Sequence, residues 1–118
     1  MSGCATTTAY REPDAPRYAG SFAGERAQPA EPTLRIVTFN IERGRKVAEV
    51  VASLRSHRDL RAADLLFLQE MGAPGVEAIA RELAMNYVYY PASRETSGQD
   101  IGNAILSPWP IDQSRKLL

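Results

Sequence analysis

The chain has 118 residues, 44% of them hydrophobic, and fourteen basic residues balance fourteen acidic ones, so its formal net charge is zero. That is the length of one domain, with enough apolar content for a core. No excess of positive charge draws it to a polyanion, which disfavours a dedicated nucleic-acid-binding module without excluding a nuclease. The single cysteine, Cys4, excludes an internal disulfide and a cysteine-rich zinc site, and no stretch approaches the roughly 20 apolar residues of a spanning helix.

From Met1 to Pro32 the chain is mostly Ala, Gly, Pro, Ser and Thr with scattered charges, and its apolar residues follow neither a helical nor a strand period. Pro13, Pro16 and Pro29 oppose any helix, and Tyr10, Tyr18 and Phe22 are isolated aromatics. Residues 1–32 are therefore expected to be a disordered leader or tether. Met1-Ser2-Gly3-Cys4 has the small-small-Cys form of a lipoprotein processing site but lacks the apolar run a signal peptide places before it. Cys4 thus reads as incidental unless translation starts further upstream. Two locations stay open: secreted or lipoprotein-anchored at the envelope, and cytoplasmic.

Order is expected from Thr33. Leu34 to Ile41 is rich in β-branched and aromatic residues and reads as a first strand ended by Asn40. After the turn Glu42-Arg43-Gly44-Arg45, the segment Lys46–Arg58 places Val47, Val50, Val51 and Leu54 on one helical stripe. His57 falls near its end among charged residues and is assigned no role. Asp64 to Met71 is a short apolar run, Leu65-Leu66-Phe67-Leu68, closed by Gln69 and Glu70. Four consecutive apolar residues fit a strand covered on both faces.

This second strand follows the first by about thirty residues, the length of one βαβ unit, so the two should lie parallel with their C-terminal tips at one sheet edge. Asn40 and Glu70 are then expected to meet where open α/β sheets hold ligands, with Glu70 as a hard oxygen donor suited to a divalent cation. Gly72-Ala73-Pro74 opens a second helix, Gly75 to Ala84, with Val76, Ile79, Ala80 and Leu83 on one side. Tyr87–Tyr90 reads as a strand stopped by Pro91, and 92–99 as a polar loop. Ile101–Ser107 and Ile111–Leu118 read as further strands joined through Pro108-Trp109-Pro110.

Three segments together resemble one family. Thr38-Phe39-Asn40-Ile41, Leu66-Phe67-Leu68-Gln69-Glu70 and Gly102-Asn103-Ala104-Ile105-Leu106-Ser107, the last followed by Trp109-Pro110-Ile111, resemble in order and spacing the first three motifs of the endonuclease/exonuclease/phosphatase superfamily. These are metal-dependent phosphoesterases related to deoxyribonuclease I. The resemblance covers 33–118 and implies an α/β fold: the first half, βαβαβ plus further strands, of a four-layer α/β sandwich. It implies Mg2+, with Mn2+ as a substitute, at Glu70 and more weakly at Glu42. It also implies an orienting role for Asn40 toward the phosphate or metal site, and a place for Asn103 beside the substrate. Pro108 departs from the arginine that relatives often carry after the serine.

The family's later motifs are missing from the sequence: a histidine, an Asp-x-Asn, a Gly-Asp-Phe-Asn and a terminal Ser-Asp-His. The resemblance therefore implies the N-terminal portion of a phosphoester hydrolase, most simply a phosphodiesterase, inactive by itself, with its C-terminal half missing. Its substrate would be a nucleic acid, a phospholipid head group or a sugar phosphate. The competing reading is a small non-catalytic α/β module that binds a ligand or partner.

Overall fold

The computed structural model describes residues 7–25, 33–42 and 47–117. In chain order these residues form strands β1 (Thr8–Ala9), β2 (Tyr18–Ser21) and β3 (Ile36–Asn40), helices α1 (Val47–Ser56) and α2 (Arg58–Arg61), strand β4 (Leu65–Met71), helix α3 (Ala73–Leu83), and strands β5 (Asn86–Arg94) and β6 (Asp100–Ser107). One sheet holds all six strands in the order β1-β5-β6-β4-β3, with β2 also on β5. The expectations for Cys4, for Arg43 to Lys46 and for Leu118 lie outside the described residues.

The βαβ reading holds. β3 and β4 run parallel in the register Ile36↔Leu65 to Asn40↔Gln69, and the remaining described pairs are antiparallel. The apolar stripes of α1 (Val50, Leu54) and α3 (Val76, Ile79, Ala80) bury against one face of the sheet, where they meet Leu66, Leu68, Met71, Tyr87, Tyr89, Ala104 and Leu106. α3 begins with Pro74 in its first turn, as its sequence predicts, and ends at Ala84 in the left-handed conformation (φ 52°).

Four expectations need correction. The stretch read as a disordered leader carries β1 and β2 among its described residues, 7–25, both on the free edge of β5. Strands of two and four residues are too short to show a period. They are fixed instead by the isolated aromatics: Tyr18 lies 5.9 Å from Tyr89, and Phe22 stacks on Tyr87 at 6.2 Å under the Arg81 guanidinium. Second, β4 is fully covered on one face only. Leu66 and Leu68 are buried while Leu65 and Phe67 are half-buried, because the helices occupy a single side.

Third, Pro91 does not stop β5. The strand continues to Arg94 across a register shift between Pro91 and Ser93, an irregularity that tolerates a residue without an N–H. The expected loop thus shrinks to a tight turn closed by Glu95 N–H to Gln99 O (2.7 Å) and Gly98 N–H to Glu95 O (2.9 Å). Fourth, residues 111–117 form no strand. They run back along the N-terminal segment, where Lys116 donates to the carbonyl of Tyr10 (2.9 Å) and Ser114 bonds Arg17 and the Tyr90 hydroxyl.

Candidate metal and phosphate site at the sheet edge

β4 is not a regular strand at its tip. Its pairing with β6 shifts register between Leu68 and Met71: Leu68 sits opposite Ala104 and Met71 opposite Gly102, so Gln69 and Glu70 together oppose the single residue Asn103. Glu70 takes a φ of 56° in this bulge. The effect on side-chain direction is decisive. Unbroken alternation from Leu66 and Leu68 would send Glu70 into the helix-covered core and Met71 outward. Instead Met71 is fully buried and Glu70 is exposed.

The same bulge aligns the residues singled out in the sequence. Asn40 is paired with Gln69 across the parallel ladder, Gln69 and Glu70 face Asn103, and Asn103 faces Tyr90 on β5. Asn40, Glu70 and Asn103 are all exposed. They form one transverse row at the end of the sheet where β3 and β4 finish. Asn103, on the sheet face away from the helices, ends the row on the β6 side of Glu70.

Asn40 has a divided role. Its Oδ1 accepts the N–H of Glu42 at 2.9 Å, which closes a tight turn in which Glu42 takes φ 43°. With its oxygen so engaged, the amide presents donors outward, the polarity suited to a phosphate oxygen. Glu42, with Asn40, Glu49 and Ser53, lines a depression of about 290 Å³ toward α1, and Glu70 is not part of that lining. The acidic first-turn residue Glu49 was not picked out in the sequence, since a glutamate there is an ordinary helix-start feature.

Two further residues support the row. Gln69 donates from Nε2 to Thr38 Oγ1 at 2.9 Å and so ties β3 to β4 directly beneath Asn40 and Glu70. Tyr89, fully buried, donates its hydroxyl to the carbonyl of Met71 at 2.7 Å, fixing the residue after Glu70. Burial pushes the Tyr89 phenol far above its ordinary range, so it remains a donor throughout neutral pH. A tyrosine in a strand of three carries no sequence signal for this. At the same end of the sheet Asp100 accepts from Tyr10 (2.8 Å) and Arg94 (3.1 Å), linking β1 to the β5–β6 hairpin. That bond raises both the Tyr10 phenol and the Arg94 guanidinium.

The donors present suit a small hard cation held mainly by water. Among the described residues no three His, Cys, Asp or Glu side chains cluster as a cage. Mg2+ needs only one or two protein carboxylates, and Glu70, exposed on the bulge, is the carboxylate this row offers. His57 does not belong to this site. It caps α2, which leads into the start of β4, so the length of that strand, roughly 20 Å, separates it from Glu70. No helix among the described residues is long and apolar enough to cross a membrane.

A mixed α/β sheet with helices on one face fits part of a deoxyribonuclease I-like fold. The chain belongs to the endonuclease/exonuclease/phosphatase family, whose model matches residues 37–117. The family acts on phosphoesters and is generally dependent on divalent metal. Neither the curated proteins nor the solved structures give a match to this chain.

Proposed function

We propose that this chain is the N-terminal portion of a divalent-metal-dependent phosphodiester hydrolase and supplies the carboxylate side of its centre. The observation that supports this best is the row Asn40, Gln69, Glu70 and Asn103 at the end of the parallel strand pair. Hydrolysis builds negative charge on the equatorial oxygens and on the departing alkoxide, while a water is aligned opposite the leaving group. A Mg2+ or Mn2+ ion, when bound, polarises the phosphoryl group and neutralises the leaving oxygen. Glu70 would anchor it, with Glu42 as a weaker second carboxylate. Asn40 holds a nonbridging phosphate oxygen through its amide donors, and Asn103 borders the substrate from β6. With both carboxylates given to the metal, the row has no group left over to act as general base. The 118-residue chain is therefore expected to turn nothing over alone.

The test combines binding and turnover. Mn2+ titrated into the purified chain, followed by calorimetry or paramagnetic line broadening, is expected to bind, and Glu70→Gln to weaken that binding by on the order of tenfold or more. Equal affinity in the two proteins would refute the metal assignment. Metal-dependent hydrolysis of bis(p-nitrophenyl) phosphate by the 118-residue chain would refute its incompleteness. Nucleic acid, phospholipid head group and sugar phosphate share the phosphoester that this row would engage.

A further inference from the structure

Burial of Met71 and solvation of Glu70 decide which face of the sheet each side chain takes. They do not decide where the Glu70 carboxylate points. A bulge breaks the regular ladder, so the backbone on either side of it needs other anchors. A metal ligand needs that anchoring more than an ordinary surface residue does, because its direction has to be held.

The anchors are present on both sides of Glu70. On the Gln69 side, the Gln69 carbonyl accepts from Ile41 N–H at 3.0 Å and the Gln69 amide donates to Thr38 Oγ1 at 2.9 Å. On the Met71 side a side chain does the holding: the Tyr89 hydroxyl donates to the Met71 carbonyl at 2.7 Å. Tyr89 is a firm support. It is fully buried, paired on one side with Ala104 of β6 and on the other with Tyr18 of β2, and its ring lies 5.9 Å from that of Tyr18. A phenylalanine would fill the same space in the core. What tyrosine adds is a buried hydroxyl, which costs free energy unless it is bonded, and the bulged strand is where it bonds.

We propose that Tyr89 is a positioning residue for the metal anchor: by holding the Met71 carbonyl, its hydroxyl fixes the direction in which the bulge presents the Glu70 carboxylate. This rests on Glu70 being that anchor. Tyr89 touches neither cation nor substrate and acts through one residue of backbone. Partners standing behind a ligand govern affinity at metal sites in the same manner.

Two measurements on the 118-residue chain test this, the first without metal. In Tyr89→Phe, which keeps the ring and should fold with native circular dichroism, the amide resonance and the HN–Hα coupling of Glu70 should move away from their native values. Titrated with Mn2+, the same variant should show a dissociation constant raised by on the order of tenfold. Leu106→Val is the control for stability alone. It trims a fully buried side chain opposite Leu66, at the far end of the β4–β6 pair, and should keep both the Glu70 resonances and the native affinity.

Three results would overturn the proposal: unchanged Glu70 resonances in Tyr89→Phe, native Mn2+ affinity in Tyr89→Phe where Glu70→Gln is weakened, or an equal loss of affinity in Leu106→Val. Equal affinity in the native chain and Glu70→Gln is a different failure. It removes the anchor itself, and the positioning role with it, even where the metal-free resonances show that the hydroxyl holds the bulge.

Discussion

Replacing Glu70 by glycine separates what this residue does for the fold from what it does for the site. A non-glycine residue in the left-handed region carries a penalty of about 1 kcal/mol that glycine does not, and Glu70 sits there at φ 56° with an exposed side chain. If the carboxylate does no structural work, Glu70→Gly should stabilise the chain by about 1 kcal/mol. Ala84 provides the calibration. It ends α3 at φ 52°, far from any proposed chemistry, and Ala84→Gly should give a gain of the same size. With a urea slope of about 1.5 kcal/mol per molar, each variant moves the midpoint up by about 0.7 M.

Metal reverses the order. For a site with a dissociation constant of about 1 mM, 10 mM Mn2+ adds about 1.4 kcal/mol to a protein that binds it and nothing to one that does not. The native chain should therefore overtake Glu70→Gly once Mn2+ is present, while Ala84→Gly keeps its lead over the native chain throughout. Urea unfolding followed by circular dichroism, with and without Mn2+, reads both effects in one experiment. Two outcomes refute the reasoning: a Glu70→Gly chain that is less stable than native while Ala84→Gly is more stable, or equal stabilisation of native and Glu70→Gly by the metal.

Tyr89→Phe removes the hydroxyl that holds the Met71 carbonyl and should cost about 1–2 kcal/mol at neutral pH. Because the folded-state value of this phenol is raised, the stability it confers is complete below the unfolded value, about pH 10, and is lost as pH climbs toward the folded one. The native chain should lose stability above about pH 10 more steeply than Tyr89→Phe, and parallel alkaline melting curves would exclude this coupling. Gly102→Ala drives a Cβ into the Tyr90 carbonyl and the Pro91 backbone at the β5–β6 register shift. A loss of about 3 kcal/mol or more in urea unfolding is expected, and an unchanged midpoint would mean the hairpin shifts to accept it.

The helices and the parallel pair were legible in the sequence because a period states them directly: Val47, Val50, Val51 and Leu54 for α1, and the Val76–Leu83 stripe for α3. That Asn40 and Glu70 come to one sheet edge was expected from strand-helix-strand spacing alone; the register pairs Asn40 with Gln69, the residue before Glu70. What no period carries is the partner an edge strand finds. β1 and β2 exist because β5 offers a free edge and because Tyr18 and Phe22 find Tyr89 and Tyr87, contacts across more than sixty residues of chain.

The bulge was hidden for a different reason. Its left-handed residue is a glutamate, whereas the pattern that announces such a position in a strand is glycine. Simple alternation along Leu66-Phe67-Leu68-Gln69-Glu70 would even have buried the carboxylate beneath the helices. Choosing a strained glutamate over an available glycine makes sense where the side chain itself is needed at the surface, and strain of this kind is concentrated where chemistry is done. The angle by itself is not diagnostic, since Ala84 shares it far from the row; what the bulge and the burial of Met71 do is put the Glu70 carboxylate at the surface, where the proposed metal anchor requires it.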